Sequence, residues 1–166
     1  RKINKSLRQR YYLQGREWPY KNVKPRIIAE KYMEDHTTKE LRDYKFFCFN
    51  GVPRVMFVAS DRENEAVETK FDFFYIDFHH LKLTNGHPNA DKALEKPKMF
   101  YQMQELAAEL SKNIPQIRVD FYEVDGKIYF GELTFSHWSG MVPFKPEYWD
   151  RKFGEWITLP EVTKGK

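Results

Sequence analysis

The stretch that decides the fold runs from Gln116 to Gly140 and reads QIRVDFYEVDGKIYFGELTFSHWSG. Its residues alternate in character as those of a β-hairpin do, because successive side chains of a strand point to opposite faces. We expect the odd-numbered apolar positions to form core, and these are Val119, Phe121, Tyr129, Leu133 and Phe135. The even-numbered positions of the other face carry Arg118, Asp120, Glu132 and Thr134.

The loop of this hairpin decides whether Asp120 and Glu132 share a face. If residues 125–126 formed a two-residue turn, the two carboxylates would face apart. A three-residue loop over 124–126, with a left-handed glycine and a bulge, places Arg118 opposite Glu132 and aligns all the even positions. The apolar pattern predicts this second register, because only it keeps the apolar residues of both strands together.

The composition indicates one α+β domain, an antiparallel sheet with packed helices. A length of 166 residues suffices for a sizeable core, and the absence of a long apolar run predicts no transmembrane segment. An aromatic content of 17% is typical of a sheet-rich domain. The one cysteine, Cys48, lies in an apolar run and has no internal disulfide partner, so we expect a reducing compartment, the cytoplasm.

Charge is distributed unevenly along the chain. Residues 1–31 hold ten Lys and Arg against two acidic residues, whereas the remainder has a net charge of −4. The basic end is suited to a polyanion or an anionic membrane surface, and a solvated terminal helix explains the same pattern equally well. We expect no nucleic-acid partner and leave the oligomeric state open. Because the chain begins with Arg1 rather than Met, we expect it to be a piece of a longer one.

Local patterns predict the elements that precede the central hairpin. They indicate a short basic helix over 1–12, an irregular connector over 15–24 and a strand over 26–33. Asn50-Gly51 between two β-rich segments predicts a second hairpin with a two-residue turn. In that register residue 45 opposes residue 56. One face of this hairpin then carries Asp43, Lys45, Arg54 and Arg62.

The remaining segments are predicted in the same way. Residues 71–81 are extended, 97–113 form an amphipathic helix and 147–157 include a short helical segment. The five histidines lack metal-ligand spacing and are expected to be surface or packing residues. We divide the chain into a basic helix and connector over 1–24, the main domain over 25–160 and a disordered tail over 161–166.

The charged face of the central hairpin allows three interpretations. Two carboxylates suit Mg²⁺ held between protein and phosphate oxygens, because Mg²⁺ takes one or two carboxylates and fills its other positions with water and phosphate. The same pair would suit acid and base roles on a sugar. A cross-strand ion pair between Arg118 and Glu132 on a wet face is the simplest alternative. The common glycine-rich nucleotide-binding loops are absent, and so are the catalytic motifs G-x-S-x-G and H-E-x-x-H.

A family resemblance favours the first interpretation. The run RVDFYEVDGKIYFGELTFSHWSG resembles the last metal-binding hairpin of the ATP-grasp enzymes. KPRIIAEKYMED is similar to the adenine-binding linker of that fold, and DYKFFCFNGVPRVMFVASDR to its following hairpin. The segments ending in ELAAELSKN and FKPEYWDRKFGEWITLP look like the TupA-like branch, found with bacterial polysaccharide and teichuronopeptide synthesis. The similarity spans roughly residues 11–160 and implies the C-terminal half of an ATP-grasp domain.

The resemblance implies a magnesium site on the central hairpin. Asp120 and Glu132 would be the ligands. Thr134 stands where many ATP-grasp enzymes have Asn, so its hydroxyl or a water would be the third ligand. Arg118 corresponds to an arginine that stabilises the tetrahedral centre in related ligases.

The resemblance also implies residues that bind ATP. Glu30, with the backbone of Lys31 and Met33, would receive the adenine. Residues of the second hairpin would lie toward ATP or the carboxylate substrate, namely Lys45 and Arg62, with Asp43 as a ribose contact.

The implied activity is an ATP- and Mg²⁺-dependent carboxylate–amine ligase that forms an acyl phosphate and then an amide. Its partners would be an acidic sugar or polysaccharide carboxylate and an amine or amino acid. Because the phosphate-covering half of the fold precedes the linker in such enzymes, we expect these 166 residues alone to bind nucleotide weakly and not to turn over. The rival readings are a glycosyltransferase-like or glycosidase enzyme and a non-catalytic polyanion-binding module.

Overall fold

The computed structural model describes residues 2–36, 40–62 and 66–161. Its helices are α1 (Lys2–Ser6), α2 (Tyr12–Gly15), α3 (Phe100–Leu110) and α4 (Tyr148–Glu155), with single 3₁₀ turns at Trp18–Tyr20 and His137–Gly140. Its strands are β1 (Asp43–Phe49), β2 (Val52–Ser60), β3 (Lys70–Tyr75), β4 (His80–Leu81), β5 (Gln116–Val124) and β6 (Lys127–Thr134). They form one antiparallel sheet in the order β4-β3-β2-β1-β5-β6. The predicted α+β class is therefore confirmed.

Each face of the sheet buries its own apolar cluster. On one face α3 packs Phe100, Met103 and Ala107 against the even positions of β1 and β2, which include the fully buried Cys48. On the other face α4 packs Trp149 and Phe153 against the odd positions of the same strands. Because both faces are covered, β1 reads as an unbroken buried run rather than an alternating one.

The β5–β6 hairpin reaches its register by a different route from the one predicted. Val124 pairs with Lys127, so the turn has two residues, and positive φ at Asp125 (50°) and Gly126 (73°) is that of a type I′ turn. The predicted three-residue loop is wrong. The strands instead slip by one residue farther along, where Gly131 and Glu132 together face Asp120 in a bulge.

The bulge changes which residues of β6 face the core. On its turn side Ile128 packs into the α3 cluster, whereas Tyr129, predicted to be core, is exposed. Beyond the bulge, the odd-numbered residues of β6 face the core again, as predicted. There Arg118 is the register partner of Thr134 rather than of Glu132.

The β1–β2 hairpin has the predicted two-residue turn, since Phe49 pairs with Val52. A bulge at Arg54 then shifts the register, so Lys45 opposes Phe57 rather than residue 56. Arg54 is the extra residue of this bulge and is exposed. The expected pairing of residues 45 and 56 is therefore wrong.

Predictions outside the sheet were partly correct. Of the helix predicted over 1–12, only α1 (Lys2–Ser6) forms, since α2 begins at Tyr12, and the strand predicted over 26–33 is irregular. That segment pairs with no described strand, and its apolar side chains at Ile27, Ile28 and Tyr32 are exposed. The two downstream helices form as predicted. Apart from Glu161, the predicted tail lies outside the described residues, and no described helix has the length and apolarity needed to cross a bilayer.

Candidate active site

A cavity of about 610 Å³ opens on the α4 side of the sheet, over the charged positions of β5 and β6. Its walls include five of the residues singled out from the sequence, Lys45, Arg62, Arg118, Glu132 and Thr134. Asp120 lies beneath them and is fully buried. The bulge in β6 and the antiparallel pairing of β1 with β5 bring these residues together, because Lys45 is the register partner of Asp120.

Arg118 is the centre of the polar network under this cavity. Its Nε and Nη2 donate to the two oxygens of Asp120, each at 2.8 Å. The same Nη2 lies 2.9 Å from Glu132 Oε1 and 2.9 Å from Thr134 Oγ1. The two carboxylates therefore share the face, as predicted. The interpretation as an ion pair on a wet face does not describe it, since only Glu132, with a 60% exposed side chain, faces solvent.

Two further cations extend the network across β1. Lys45 Nζ pairs with Asp120 and lies 3.2 Å from Asp43 Oδ2. Arg62 pairs with Asp43 from the loop after β2. Asp43 is 1% exposed and its oxygens make no well-aligned hydrogen bond, so these contacts are ionic. Burial lowers the pKa of Lys45, although the charge of Asp120 opposes that shift.

His137 holds the far side of the Arg118 guanidinium. Its Nδ1 lies 2.6 Å from Arg118 Nη1, and its Nε2 lies 2.8 Å from Asn85 Oδ1. Because guanidinium nitrogens only donate, Nδ1 accepts, and the proton of the neutral ring is on Nε2 and is donated to Asn85. Burial, followed by the charges of Arg118 and Lys45, lowers the pKa of His137 to about 3.

His137 packs against the rings of Phe47, Phe57 and Phe144, as predicted for the histidines, and its contact with Arg118 is a further role that the sequence did not indicate. Its position depends on a left-handed turn, in which Trp138 (φ 49°) and Ser139 (φ 54°) both have positive φ. Such backbone is costly for residues other than glycine and is often found at functional sites. Asn85, which is buried, donates to the carbonyls of Val142 and Pro143. The one available signal was the position of His137 just after the charged face of β6.

The segment over residues 11–20 forms a wall of the cavity that the sequence did not indicate. Tyr11, Glu17 and Tyr20 line it, and the Tyr20 hydroxyl accepts the Phe135 N–H at 2.8 Å. Ser139 Oγ donates to Glu17 Oε1 at 2.9 Å. The connector predicted over 15–24 therefore contains a 3₁₀ turn, and the contacts of Glu17 and Tyr20 fix its position at the site.

The predicted adenine-binding residues lie elsewhere. Glu30, Lys31 and Met33 line a second pocket of about 620 Å³, together with Tyr129 and Phe130 of β6. They do not line the first cavity. The pKa of Tyr122 is raised chiefly by burial; the charge of Arg62 lowers it, and the charges of Asp120, Glu132 and Glu30 raise it.

The donor set under the cavity suits a hard cation. Asp120, Glu132 and Thr134 offer carboxylate and hydroxyl oxygens, the ligands that Mg²⁺ prefers, and Mg²⁺ requires only one or two carboxylates from the protein. One nitrogen of Arg118 now contacts all three side chains. A metal ion would therefore take these oxygens in place of the guanidinium. Among the described residues, no group of three or more His, Cys, Asp or Glu forms a protein-only metal site.

Comparison with known proteins gives one finding. A family model described as TupA-like ATPgrasp matches residues 1–158. No curated protein and no solved structure matches the chain.

Proposed function

Since the chain belongs to the TupA-like ATP-grasp family, we propose that it is a carboxylate–amine ligase of bacterial surface polysaccharide biosynthesis. The family indicates a ligase-type enzyme, and ATP-grasp enzymes generally use ATP and Mg²⁺. Formation of an amide bond, an acidic sugar as substrate and a cytoplasmic location are the finer parts of the proposal. The observation that supports it best is the single guanidinium of Arg118 that bridges Asp120, Glu132 and Thr134 beneath the cavity.

The reaction proceeds in two balanced steps. A carboxylate oxygen of the substrate attacks the γ-phosphorus of ATP, forming an acyl phosphate and releasing ADP. A neutral amine then attacks the acyl carbon, the C–O bond to phosphate breaks, and the nitrogen loses a proton as the amide forms. Bound Mg²⁺, held by Asp120, Glu132 and Thr134, would neutralise charge on the β- and γ-phosphates.

The cations of the chain have separate roles in this scheme. Lys45 and Arg62 attract the anionic groups of ATP and the substrate carboxylate. Arg118 stabilises the oxyanion of the tetrahedral centre, where a preorganised donor contributes most. Asp43 is buried and paired with both Lys45 and Arg62, so we assign it to holding these cations rather than to the ribose. Glu30, Lys31 and Met33 receive the adenine in the second pocket.

Calorimetry tests the metal and nucleotide assignment. The chain is titrated at millimolar concentration with a non-hydrolysable ATP analogue, with and without Mg²⁺. We expect the wild type to show heat of binding that depends on Mg²⁺. The affinity for the analogue should be at least tenfold lower in Asp120→Asn and Glu132→Gln. The exposed Asp91→Asn is the control and keeps the wild-type affinity.

Three results would contradict the proposal. Equal heats for wild type and both site variants would remove the metal assignment. Stabilisation of the folded chain by a sugar nucleotide in the absence of ATP would favour a sugar-transferring enzyme. Salt-sensitive polyanion binding that both variants retain, without nucleotide binding, would favour a non-catalytic module. The expectation that these 166 residues do not turn over stays a prediction.

A further inference from the structure

Glu17 is a buried carboxylate without a cationic partner. It is 7% exposed, it lines the cavity, and among the described residues none of the ion pairs includes it. Glutamate is seldom buried unless it is paired, because removing a charge from water is costly. The cations of the same cavity are already taken, Arg62 by Asp43, Lys45 by Asp43 and Asp120, and Arg118 by Asp120 and Glu132.

The position of Glu17 is fixed by residues from two distant parts of the chain. Ser139, on the left-handed turn after β6, donates to Glu17 Oε1. Gly15 provides the room, since a Cβ at that position would lie 2.3 Å from Ser139 Oγ and 3.2 Å from Glu17 Cγ. Tyr11 lies beside Glu17, and the pKa of Tyr11 is raised first by burial and then by the negative charge of Glu17.

These features describe a site that is complete except for a cation. The hydroxyl of Ser139 satisfies one oxygen of Glu17, and the Tyr11 side chain also hydrogen-bonds to the carboxylate. Acceptor capacity still remains, because a carboxylate accepts about four hydrogen bonds. The aromatic rings of Tyr11 and Tyr20 meet edge to face at 5.6 Å and form the apolar part of the wall. An ammonium group provides the missing charge and three donors.

We propose that Glu17 anchors a subsite for the amine substrate in a wall formed by Tyr11, Tyr20 and Ser139. The amine binds there as ammonium and gives one proton to the Glu17 carboxylate before its neutral form attacks. The identification of this cation as the co-substrate rests on the proposed ligase function. The subsite lines the same cavity as Lys45, Arg62 and Arg118, to which the proposed function assigns the anionic substrates. The cavity thus has separate sites for the cationic amine and for the anionic substrates.

The test uses methylammonium chloride as the probe, with sodium chloride and tetramethylammonium chloride at equal ionic strength as controls. Thermal unfolding is measured for the wild type, Glu17→Gln and the exposed control Glu105→Gln. Methylammonium is expected to raise the Tm of the wild type and the control above the values in both reference salts, and this response is lost in Glu17→Gln. The variant itself is expected to be at least as stable as the wild type, because glutamine still accepts from Ser139 and carries no unpaired charge.

Equal methylammonium responses in the wild type and Glu17→Gln would overturn the proposal. A second measurement does not depend on any variant. In wild-type ¹H–¹⁵N spectra, methylammonium shifts the backbone amides of residues 11–18, 20 and 139, and the absence of these shifts would equally overturn it. Neither measurement contains ATP. A methylammonium response without any Mg²⁺-nucleotide binding would therefore support the subsite and contradict the ligase assignment.

Discussion

Replacing Arg118 by glutamine tests the network beneath the cavity. The substitution removes two hydrogen bonds of 2.8 Å from a fully buried carboxylate, Asp120, and leaves it with Lys45 as its cation. Removing one partner of a buried ion pair typically costs about 3–5 kcal/mol. Because Lys45 remains, we expect a loss near the lower end, about 3 kcal/mol in the free energy of unfolding.

The same substitution frees the carboxylates that the guanidinium occupies. Mg²⁺ should then stabilise Arg118→Gln more than the wild type, because binding to the folded state alone contributes RT ln(1 + [L]/Kd), or about 2.7 kcal/mol at a hundredfold excess over Kd. The assay is urea unfolding at pH 7 with and without Mg²⁺, at constant ionic strength. Arg151→Gln, at an exposed position of α4, is the control and should match the wild type in both conditions.

Two results would refute this reasoning. A loss of less than about 1 kcal/mol in Arg118→Gln would mean that Asp120 is not held by the guanidinium. An equal effect of Mg²⁺ on the variant and the wild type would mean that Arg118 and the metal do not use the same oxygens.

Two more substitutions test neighbouring features. The pKa of His137 is about 3 in the folded state, against an ordinary value of 6.5. Between these two pH values the unfolded chain binds one more proton than the folded chain, so His137 makes the free energy of unfolding rise by about 1.4 kcal/mol per pH unit. His137→Asn, whose amide oxygen can still accept from Arg118, should lose that part of the slope in urea unfolding between pH 4.5 and 6, and an unchanged slope would contradict the assignment. Gly131→Ala places a Cβ 3.1 Å from the Asp120 carbonyl oxygen and 3.3 Å from the Tyr122 ring, so it should cost about 1–3 kcal/mol and weaken Mg²⁺-nucleotide binding. Gly154→Ala, where a Cβ meets nothing within 4 Å in α4, is its control and should not destabilise, whereas equal effects of the two would count against the role of the bulge.

The central hairpin shows what an alternating sequence can and cannot predict. Alternation gives parity, and parity was sufficient to place Asp120 and Glu132 on one face. It cannot separate registers that differ by two residues, so Arg118 was predicted opposite Glu132 and is found opposite Thr134. Compared with the predicted three-residue loop, the type I′ turn shifts the register by one residue and the bulge shifts it by one more. A total shift of two residues leaves every side chain on its predicted face, so alternation cannot detect it.

The residues that the sequence did not reveal come from irregular backbone. Glu17 lies before the first strand, Asn85 lies between strands, and His137 lies on a strained turn after the last one. Their contacts join positions 52 to 122 residues apart, and no local periodicity encodes such distances. The segment over 26–33 was predicted as a strand because its composition suits one, but a strand forms only where a neighbour pairs with its backbone.

The burial of Cys48 has a practical consequence for studying this protein. Its thiol is fully enclosed beneath α3, and burial raises its pKa to about 12, so it is neither accessible nor ionised near neutral pH. The sequence contains no other cysteine. A cysteine introduced at Tyr129, which is exposed beside the second pocket, would therefore react alone with a fluorescent maleimide and test, without background labelling, whether a nucleotide binds there.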